Sequence, residues 1–432
     1  MPSAKEYLEY LKIISEPDKI VKLARLDFLN ADGTVAFSLD NNYKKGYGGY
    51  ADSRAFLQSG TMTVSLQNGQ RRKCDITLEN MDGAFDFNVN RLWHGQQVRL
   101  MMGVKLSDGT PFLLPQGVFY FETPVLTWKP TERMSEYPLV DKWSYLDGSL
   151  FGTLRDSYQI PLGTNIFEVV QAVLQLSKYT LQETNRKLDM IDCVTPIFTD
   201  FYNNRTTTVN GTTYTYTIFP ELTTIEYGNT YADIIEKCND IIAGWVGYDK
   251  MGVLNILPSE NDIADQTRPV LWDFSSESKT FLGFTETVNN GSTYNEVTIV
   301  GESTGSGSDT SPVGRAINDD PTSDTAISRI GRKSYVESSD GYYTNAQCEA
   351  LAVFRLKRIT TLQKSVTFTC SQLFHLDENS LVTVKRTDKK GSPVERHLIQ
   401  SFSLPIEQTK TMTITATAVS DFPEVTTEEV DY

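Results

Sequence analysis

The chain has 432 residues, which is more than one ordinary hydrophobic core accommodates, so the length predicts two or three domains. Its formal net charge of -15 argues against a surface that neutralises phosphates, because nucleic-acid binding depends on clustered Lys and Arg side chains. No stretch approaches the roughly 18 to 20 apolar residues that span a bilayer, and the charged N-terminal segment is unlike a secretory signal, so we expect no membrane insertion.

Residues 1–19 predict a helical arm. Ser3 and Glu6 have the spacing of a capping box, and Leu8, Leu11 and Ile14 follow at intervals of three. Such a short amphipathic helix either docks on its own core or reaches a neighbouring subunit, and the sequence leaves both alternatives open.

Residues 20–152 predict a first β-domain, because apolar and polar residues alternate between short turn signals. Three of these turns are Asp32-Gly33, Asn68-Gly69 and Asp108-Gly109. An Asn-Gly pair between alternating runs is the strongest short hairpin signal. Many short strands at this spacing favour a barrel or a sandwich.

Residues 153–265 predict a smaller α+β domain with two capped helices. The N-cap pairs are Asn165 with Glu168 and Thr230 with Asp233. The predicted apolar stripes are Phe167, Val170, Val173 and Leu174 in the first helix, and Ile234, Ile235, Cys238, Ile241 and Ile242 in the second. Hairpins are predicted around Asn210-Gly211 and over residues 245–257.

Residues 266–422 predict a second β-domain. Within it, residues 301–328 are rich in Gly, Ser, Thr, Asp and Pro, which indicates a mobile loop. A third capped helix follows, with Thr344 paired to Gln347, and four strands come after it. Residues 423–432 form an acidic tail that we expect to fray. The predicted fold is thus mainly β with an α+β insert: two tube-like antiparallel β-barrel or sandwich domains flank a smaller α+β domain.

The stretch "CDITLENMDGAFDF" (residues 74–87) is the first candidate for chemistry, because Glu79, Asp82 and Asp86 lie close together in sequence. The spacing does not match a calcium loop, and no Glu closes it. A carboxylate pair on an exposed turn keeps ordinary pKa values, which suits acid–base catalysis poorly. We therefore interpret the stretch as a turn between strands.

Other candidate groups carry no recognisable site either. The histidines His94, His375 and His397 lack the spacing of a zinc site or a catalytic triad. The glycine-rich run that begins at Gly301 lacks the Lys-Ser/Thr ending of a P-loop. We expect no catalytic, metal or cofactor-binding residues and no cofactor.

The cysteines and the basic clusters are interpreted as structural. The five cysteines are Cys74, Cys193, Cys238, Cys348 and Cys370; they form no C-x-x-C motif, and we expect buried thiols in a reducing compartment. The basic clusters at residues 70–73 and 385–390 lie beside turn residues, which predicts solvated strand ends.

The succession of segments resembles the central hub proteins of phage tail baseplates and of related contractile injection machines. Three stretches carry the resemblance. They are "CDITLENMDGAFDF" with the two strands that follow it, "NTYADIIEKCNDIIAGWVGYDKMGVLNILP", and the helix "NAQCEALAVFRLKR" followed by strands that end in "TMTITATAV". Together they cover about two-thirds of the chain in the family's order.

The resemblance implies a structural protein that is not an enzyme. It implies a homotrimer in which two related β-domains per subunit form a pseudo-six-fold ring around the DNA channel. That ring would join the tail tube or distal tail protein to a spike or fibre, with the tape measure protein as a further partner. The protein would lie in the virion tail and assemble in the cytoplasm of the host bacterium.

Two alternatives stay open. The aromatic residues near turns (Tyr47, Tyr50, Trp93, Tyr342 and Tyr343) are compatible with a tail-tip adhesin that binds host cell-wall carbohydrate. A hydrolase that acts on cell-wall polymer would depend on Glu79 and Asp82.

Overall fold

The computed structural model describes most of the chain in segments, and every structural statement below concerns these residues. They are 3–16, 20–30, 32–41, 56–67, 69–80, 83, 95–130, 132–176, 206–209, 212–215, 219, 222–242, 245–257, 268–275, 278–288, 293–303, 311–338, 342, 344–361, 364–385, 394–419 and 424–428.

The described residues contain five α-helices and one 3-10 helix. The α-helices are α1 Ala4–Ile14, α2 Ile166–Leu176, α3 Tyr231–Ile242, α4 Ile327–Ile330 and α5 Asn345–Thr361, and the 3-10 helix is Lys142–Tyr145. No described helix has both the length and the apolar character that a membrane crossing requires.

The strands fall into three groups along the chain. The first β-unit contains β1 Lys22–Leu29, β2 Val35–Asp40, β3 Phe56–Ser65, β4 Arg72–Glu79, β5 Gln97–Lys105, β6 Pro111–Phe121, β7 Val125–Lys129 and β8 Glu132–Asp141. The α+β unit contains β9 Tyr158–Ile160, β10 Thr206–Val209, β11 Thr212–Thr215, β12 Thr223–Ile225, β13 Trp245–Tyr248 and β14 Leu254–Leu257. The last group is β15 Trp272–Ser275, β16 Phe281–Val288, β17 Glu296–Val300, β18 Val313–Asn318, β19 Ser334–Ser338, β20 Lys364–Cys370, β21 Leu381–Lys385, β22 Val394–Pro405, β23 Met412–Val419 and β24 Val425–Thr427.

One 14-stranded sheet runs through both β-units, and the second β-unit is β15, β16 and β20–β23. The units meet where Ser401–Pro405 of β22 pairs antiparallel with Thr61–Ser65 of β3. The two units also share one apolar core, to which α1 contributes Tyr10 and Ile14. The mainly β fold that the sequence predicts is therefore confirmed, with the two β-units joined through a continuous sheet.

The same strand order occurs twice in this sheet. In the first β-unit the order is β3-β4-β8-β6-β5-β1, and in the second it is β16-β20-β23-β22-β21-β15. Each β-unit thus places its strands identically in chain order, although β15 runs parallel to β21 whereas β1 runs antiparallel to β5. This repetition agrees with the two related β-domains that the resemblance implies.

A second core lies under the α+β unit. The strands β17, β18, β19 and β24 form a separate four-stranded sheet, and α5 packs on β17 and β18. Buried residues of this sheet and of α5 share one apolar cluster with α2 and α3. The sequence assigned this part of the chain to the second β-unit, but its apolar surface is buried against the helices of the α+β unit.

The predicted mobile loop at residues 301–328 is wrong for part of its length. Strand β18 lies inside it, and Gly314, Ala316 and Asn318 of that strand are buried. A Cβ on Gly314 would lie 2.0 Å from the backbone nitrogen of Glu349, so the glycine allows α5 to pack directly on the strand. Composition alone indicated a loop because this short strand is buried through small residues.

Three of the four predicted helix caps are confirmed, and the Asn165–Glu168 cap stays a prediction. Ser3 and Glu6 form the predicted capping box of α1, and Thr230 with Asp233 and Thr344 with Gln347 bond in the same reciprocal way. The predicted apolar stripe of α1 is wrong at Leu8, which is 66% exposed, because the buried face is built on Tyr10 and Ile14.

Candidate functional site

Two arginines, one directly before β4 and one at its first position, are buried in the junction between the units. Arg71 and Arg72 are 2% and 1% exposed, respectively, so the predicted solvated strand end is wrong for both, while Lys73 is exposed. The strand start is covered by the loop that joins β20 to β21, which the sequence places about 300 residues later. We call Arg71, Arg72, Asp141, Asp377 and Glu378 the junction cluster.

Arg72 connects the two β-units. Its Nη1 donates to the carbonyl of Gln116 on β6 at 3.0 Å, and its Nη2 donates to the carboxylates of Asp377 and Glu378. The side chain of Gln116 in turn donates to the carbonyl of Phe374 at 2.9 Å. The guanidinium of Arg72 therefore links β4 and β6 of the first unit to the β20–β21 loop of the second.

Arg71 adds the α+β unit to the same junction. It donates through Nη2 to the carbonyl of Trp245 on β13, and its Nη1 lies 3.8 Å from Glu378. Lys250, in the turn between β13 and β14, lies 3.6 Å from Asp377. Charged side chains from three units thus meet at one place.

Asp141 fixes the backbone beneath the two arginines. Its Oδ2 accepts the backbone N–H groups of Arg71 and Arg72, each at 2.9 Å, and its Oδ1 accepts that of Trp143 at 3.0 Å. Burial raises the pKa of Asp141 to about 6, although these three N–H donors and the charge of Arg72 oppose the shift.

The pKa values of Asp377 and Glu378 shift in opposite directions. Burial raises the pKa of Glu378 to about 8, against the pull of Arg72. Burial also acts on Asp377, but the charges of Arg72 and Lys250 and a hydrogen bond from Glu378 outweigh it and hold its pKa well below the ordinary value. The pair therefore retains a proton to a higher pH than two exposed carboxylates would.

A pocket of about 390 Å³ opens beside the junction cluster. Its walls come from the turn at Asp249–Met251, the segment before β15 and the loop at 377–381. Arg71, Lys250, Asp377 and Glu378 pair with one another along this wall. Because these charged side chains pair with one another, this wall of the pocket serves as a structural contact between the units.

The carboxylates and histidines singled out in the sequence do not converge. Glu79 ends β4, while Asp82, Asp86 and His94 lie outside the described residues. His375 is buried against Tyr10, and His397 is buried beside Glu395 on β22. Within the described segments, no group of three His, Cys, Asp or Glu side chains is placed to hold a metal ion.

The structure describes four of the five cysteines and one of the five aromatic residues that the sequence singled out. Cys74, Cys238, Cys348 and Cys370 are buried free thiols, as predicted, and Cys193 lies outside the described residues. Tyr342 is 1% exposed, so it cannot belong to a surface platform for carbohydrate. The other aromatic residues of that interpretation, Tyr47, Tyr50, Trp93 and Tyr343, lie outside the described residues.

No protein-family model and no curated protein matches the sequence significantly. Solved structures do match the fold over nearly the whole chain. A tail protein from Neisseria meningitidis MC58 has a TM-score of 0.54 at 10% identity and covers 93% of this chain and 97% of its own. The 43 kDa tail protein of prophage MuSo2 from Shewanella oneidensis has a TM-score of 0.54 at 11% identity, covering 93% of this chain and 99% of its own.

This chain has the fold of phage tail proteins. The half-lidded PdpA-VgrG complex of Francisella contains a chain with a TM-score of 0.50 at 10% identity; the match covers 97% of this chain and 61% of that one. The resemblance found in the sequence therefore implied the correct fold. At these identities the likeness concerns the fold, and the function is argued separately below.

Proposed function

We propose that this chain is a structural subunit of a bacteriophage tail, the hub of its baseplate or tail tip. Three copies form a ring in which six β-units surround the channel through which DNA passes. The ring joins the tail tube or distal tail protein to the spike or fibre, and the tape measure protein is a further partner in the channel. The protein lies in the virion tail after assembly in the host cytoplasm, and it carries out no catalysis.

The observation that supports this proposal most strongly is the repeated β-unit. One chain contains the same strand order twice, and the two copies lie edge to edge in one sheet. Three such chains supply six equivalent β-units, which is what a protein between a six-fold tube and a three-fold spike requires.

The junction cluster supports the same function. A ring subunit must hold its two β-units at a fixed angle, because small changes of angle accumulate around a closed ring. Buried charges that need matched partners from three units fix one arrangement, since any other leaves a charge unpaired. The net charge of -15 suits a channel that DNA must cross without adhering.

The mass of the purified chain in solution tests the proposal. Mass photometry is expected to show a species three times the 48.6 kDa of the chain, and mixing with tail-tube protein should increase its population. A chain that stays monomeric at micromolar concentration, alone and with tube and spike proteins, would contradict the ring.

A further inference from the structure

The two β-units of one chain pair edge to edge at one place. Because the strand order is repeated, a second, equivalent pair of strand edges exists, and in the described residues these two edges are not paired with each other. In the contact within one chain, Ser401–Pro405 of β22 pairs with Thr61–Ser65 of β3. The repeated strand order makes β16 the equivalent of β3, and it makes β6 with its continuation β7 the equivalent of β22. The equivalent contact would therefore pair β7 with β16.

The equivalence of β3 and β16 extends to single residues. Strand β3 has a register shift between Leu57 and Ser59 in its pairing with β4, and β16 has one between Phe281 and Gly283 in its pairing with β20. When the two shifts are superimposed, "GTMTV" at 60–64 aligns with "FTETV" at 284–288. The identical positions are Thr61 with Thr285, Thr63 with Thr287 and Val64 with Val288.

The equivalence of β22 and β6–β7 rests on a similar irregularity. The pairing of β22 with β23 shifts register between Ile399 and Ser401. The pairing of β8 passes from Phe121 on β6 to Val125 on β7 after a break at 122–124. Thr413 of β23 and Glu136 of β8 are equivalent, because they pair with Thr369 and Thr77, the residues opposite Gly283 and Ser59. Thr413 pairs with Ser403 and Glu136 pairs with Val125, so Ser403 corresponds to Val125 and the contact segment 401–405 corresponds to 123–127.

Both strands of this second, equivalent pair have a free edge in the described part of the chain. There β7 pairs only with β8, and β16 pairs only with β20. Trp128 on β7 is 65% exposed, whereas its equivalent Ile406, whose backbone N–H donates to the carbonyl of Gly60 on β3, is 1% exposed. Long edges with exposed apolar side chains are otherwise avoided in soluble proteins, because they pair with other chains.

We propose that β16 of one copy pairs antiparallel with β7 of a second copy, in the register that β3 and β22 use. This inference rests on the proposed ring and identifies the surfaces that close it. Transferring the register places Val125 opposite Thr287, Leu126 opposite Glu286 and Thr127 opposite Thr285. The second copy is the occupant because the chain already makes the equivalent contact with itself.

A disulfide between copies tests the register. Directly opposed residues in an antiparallel pair have Cα atoms about 4.5 to 5.5 Å apart, which suits a disulfide. The double variant Thr127→Cys/Thr285→Cys is expected to give covalent dimers and trimers on a non-reducing gel after mild oxidation. The out-of-register variant Thr127→Cys/Leu282→Cys and the two single variants are the controls, and they should stay largely uncross-linked.

A second variant tests the surface without any thiol. Trp128→Lys is expected to raise the concentration at which the ring dissociates by about 30-fold or more, because an aromatic residue that the contact buries is replaced by a charge. Val336→Lys is the matched control: Val336 is 63% exposed on β19, outside the 14-stranded sheet, and this change should leave the ring intact. Circular dichroism of each variant verifies that it folds.

The outcomes separate the two proposals. A trimeric ring that forms normally with Trp128→Lys and gives no in-register cross-link would overturn the β7–β16 pairing and leave the proposed hub standing. A wild-type chain that stays monomeric would overturn both.

Discussion

Arg72 is bound by acceptors from both β-units, and the two carboxylates that it holds come from a loop some 300 residues away. Removing one partner of a buried ion pair costs more than the pair contributes, because the remaining charges stay buried without compensation. The junction cluster is therefore the most sensitive group of side chains in the part of the molecule described here.

Arg72→Met is expected to lower the free energy of unfolding by about 3–5 kcal/mol, since Asp377 and Glu378 lose their shared guanidinium. Lys73→Met, at the exposed neighbouring position, should change it by less than about 0.5 kcal/mol. Urea denaturation followed by tryptophan fluorescence measures both.

Adding Asp377→Asn to Arg72→Met should recover part of the loss, because the uncompensated charge is removed. Equal losses for Arg72→Met and Lys73→Met would show that the junction cluster does not hold the units together.

His375 predicts a particular dependence of stability on pH. Burial, with a smaller effect of the charge of Lys250, lowers the pKa of His375 from 6.5 to about 4. The unfolded chain therefore takes up a proton as the pH falls through 6.5, while the folded chain stays neutral at this ring down to about 4. The folded state loses stability across that window, by about 3 kcal/mol in total.

His375→Asn should remove this contribution, because an amide does not titrate. Asp141 and Glu378, whose pKa values are raised, act in the opposite direction, so the wild type and the variant must be compared. Urea midpoints between pH 7 and 4 are expected to fall more steeply for the wild type, and parallel curves would contradict the assignment.

Helix α1 docks on its own chain, which settles one of the alternatives that the sequence left open. The hydroxyl of Tyr10 lies 3.0 Å from Nδ1 of His375 in the second β-unit. Its ring stacks on Phe112 of the first β-unit with centroids 4.8 Å apart. Glu9 accepts a hydrogen bond of 3.0 Å from the backbone of Ser107. The helix therefore fastens the two β-units together from one side.

Tyr10→Ala is expected to lower the free energy of unfolding by about 3 kcal/mol, because a wholly buried aromatic residue leaves a cavity. Leu8→Ala is the matched control on the same helix and should cost less than about 0.5 kcal/mol, since Leu8 is largely exposed. Thermal or urea unfolding of the two variants measures the difference. A larger loss for Leu8→Ala would mean that the exposed face carries the docking.

Helices and hairpins were predictable where their signals are local. The capping pairs lie three residues apart, and turns such as that between β3 and β4 carry Asn-Gly, so short windows of sequence contain what is needed. Strand β18 was missed because its buried positions are Gly314, Ala316 and Asn318. Their burial depends on α5, which follows later in the chain, and no local pattern reports it.

The charged junction could not be predicted for the same reason. An Arg-Arg pair at a strand start is as compatible with solvent as with a buried partner, and Asp377 and Glu378 are assigned to it only by the fold. What the sequence did predict of the whole molecule was its mainly β class and the fold that it shares with phage tail proteins. The repeated strand order became visible only through the pairing of strands.

The account of the whole molecule depends on one claim, that the repeated β-units of three copies close into a ring. Electron cryo-microscopy of the purified chain tests it most directly, because the symmetry and the pore are seen together. We expect a three-fold ring of six β-units around an open channel, with β7 of each copy beside β16 of the next. Particles with one copy, or assemblies in which the β-units surround no channel, would contradict the account.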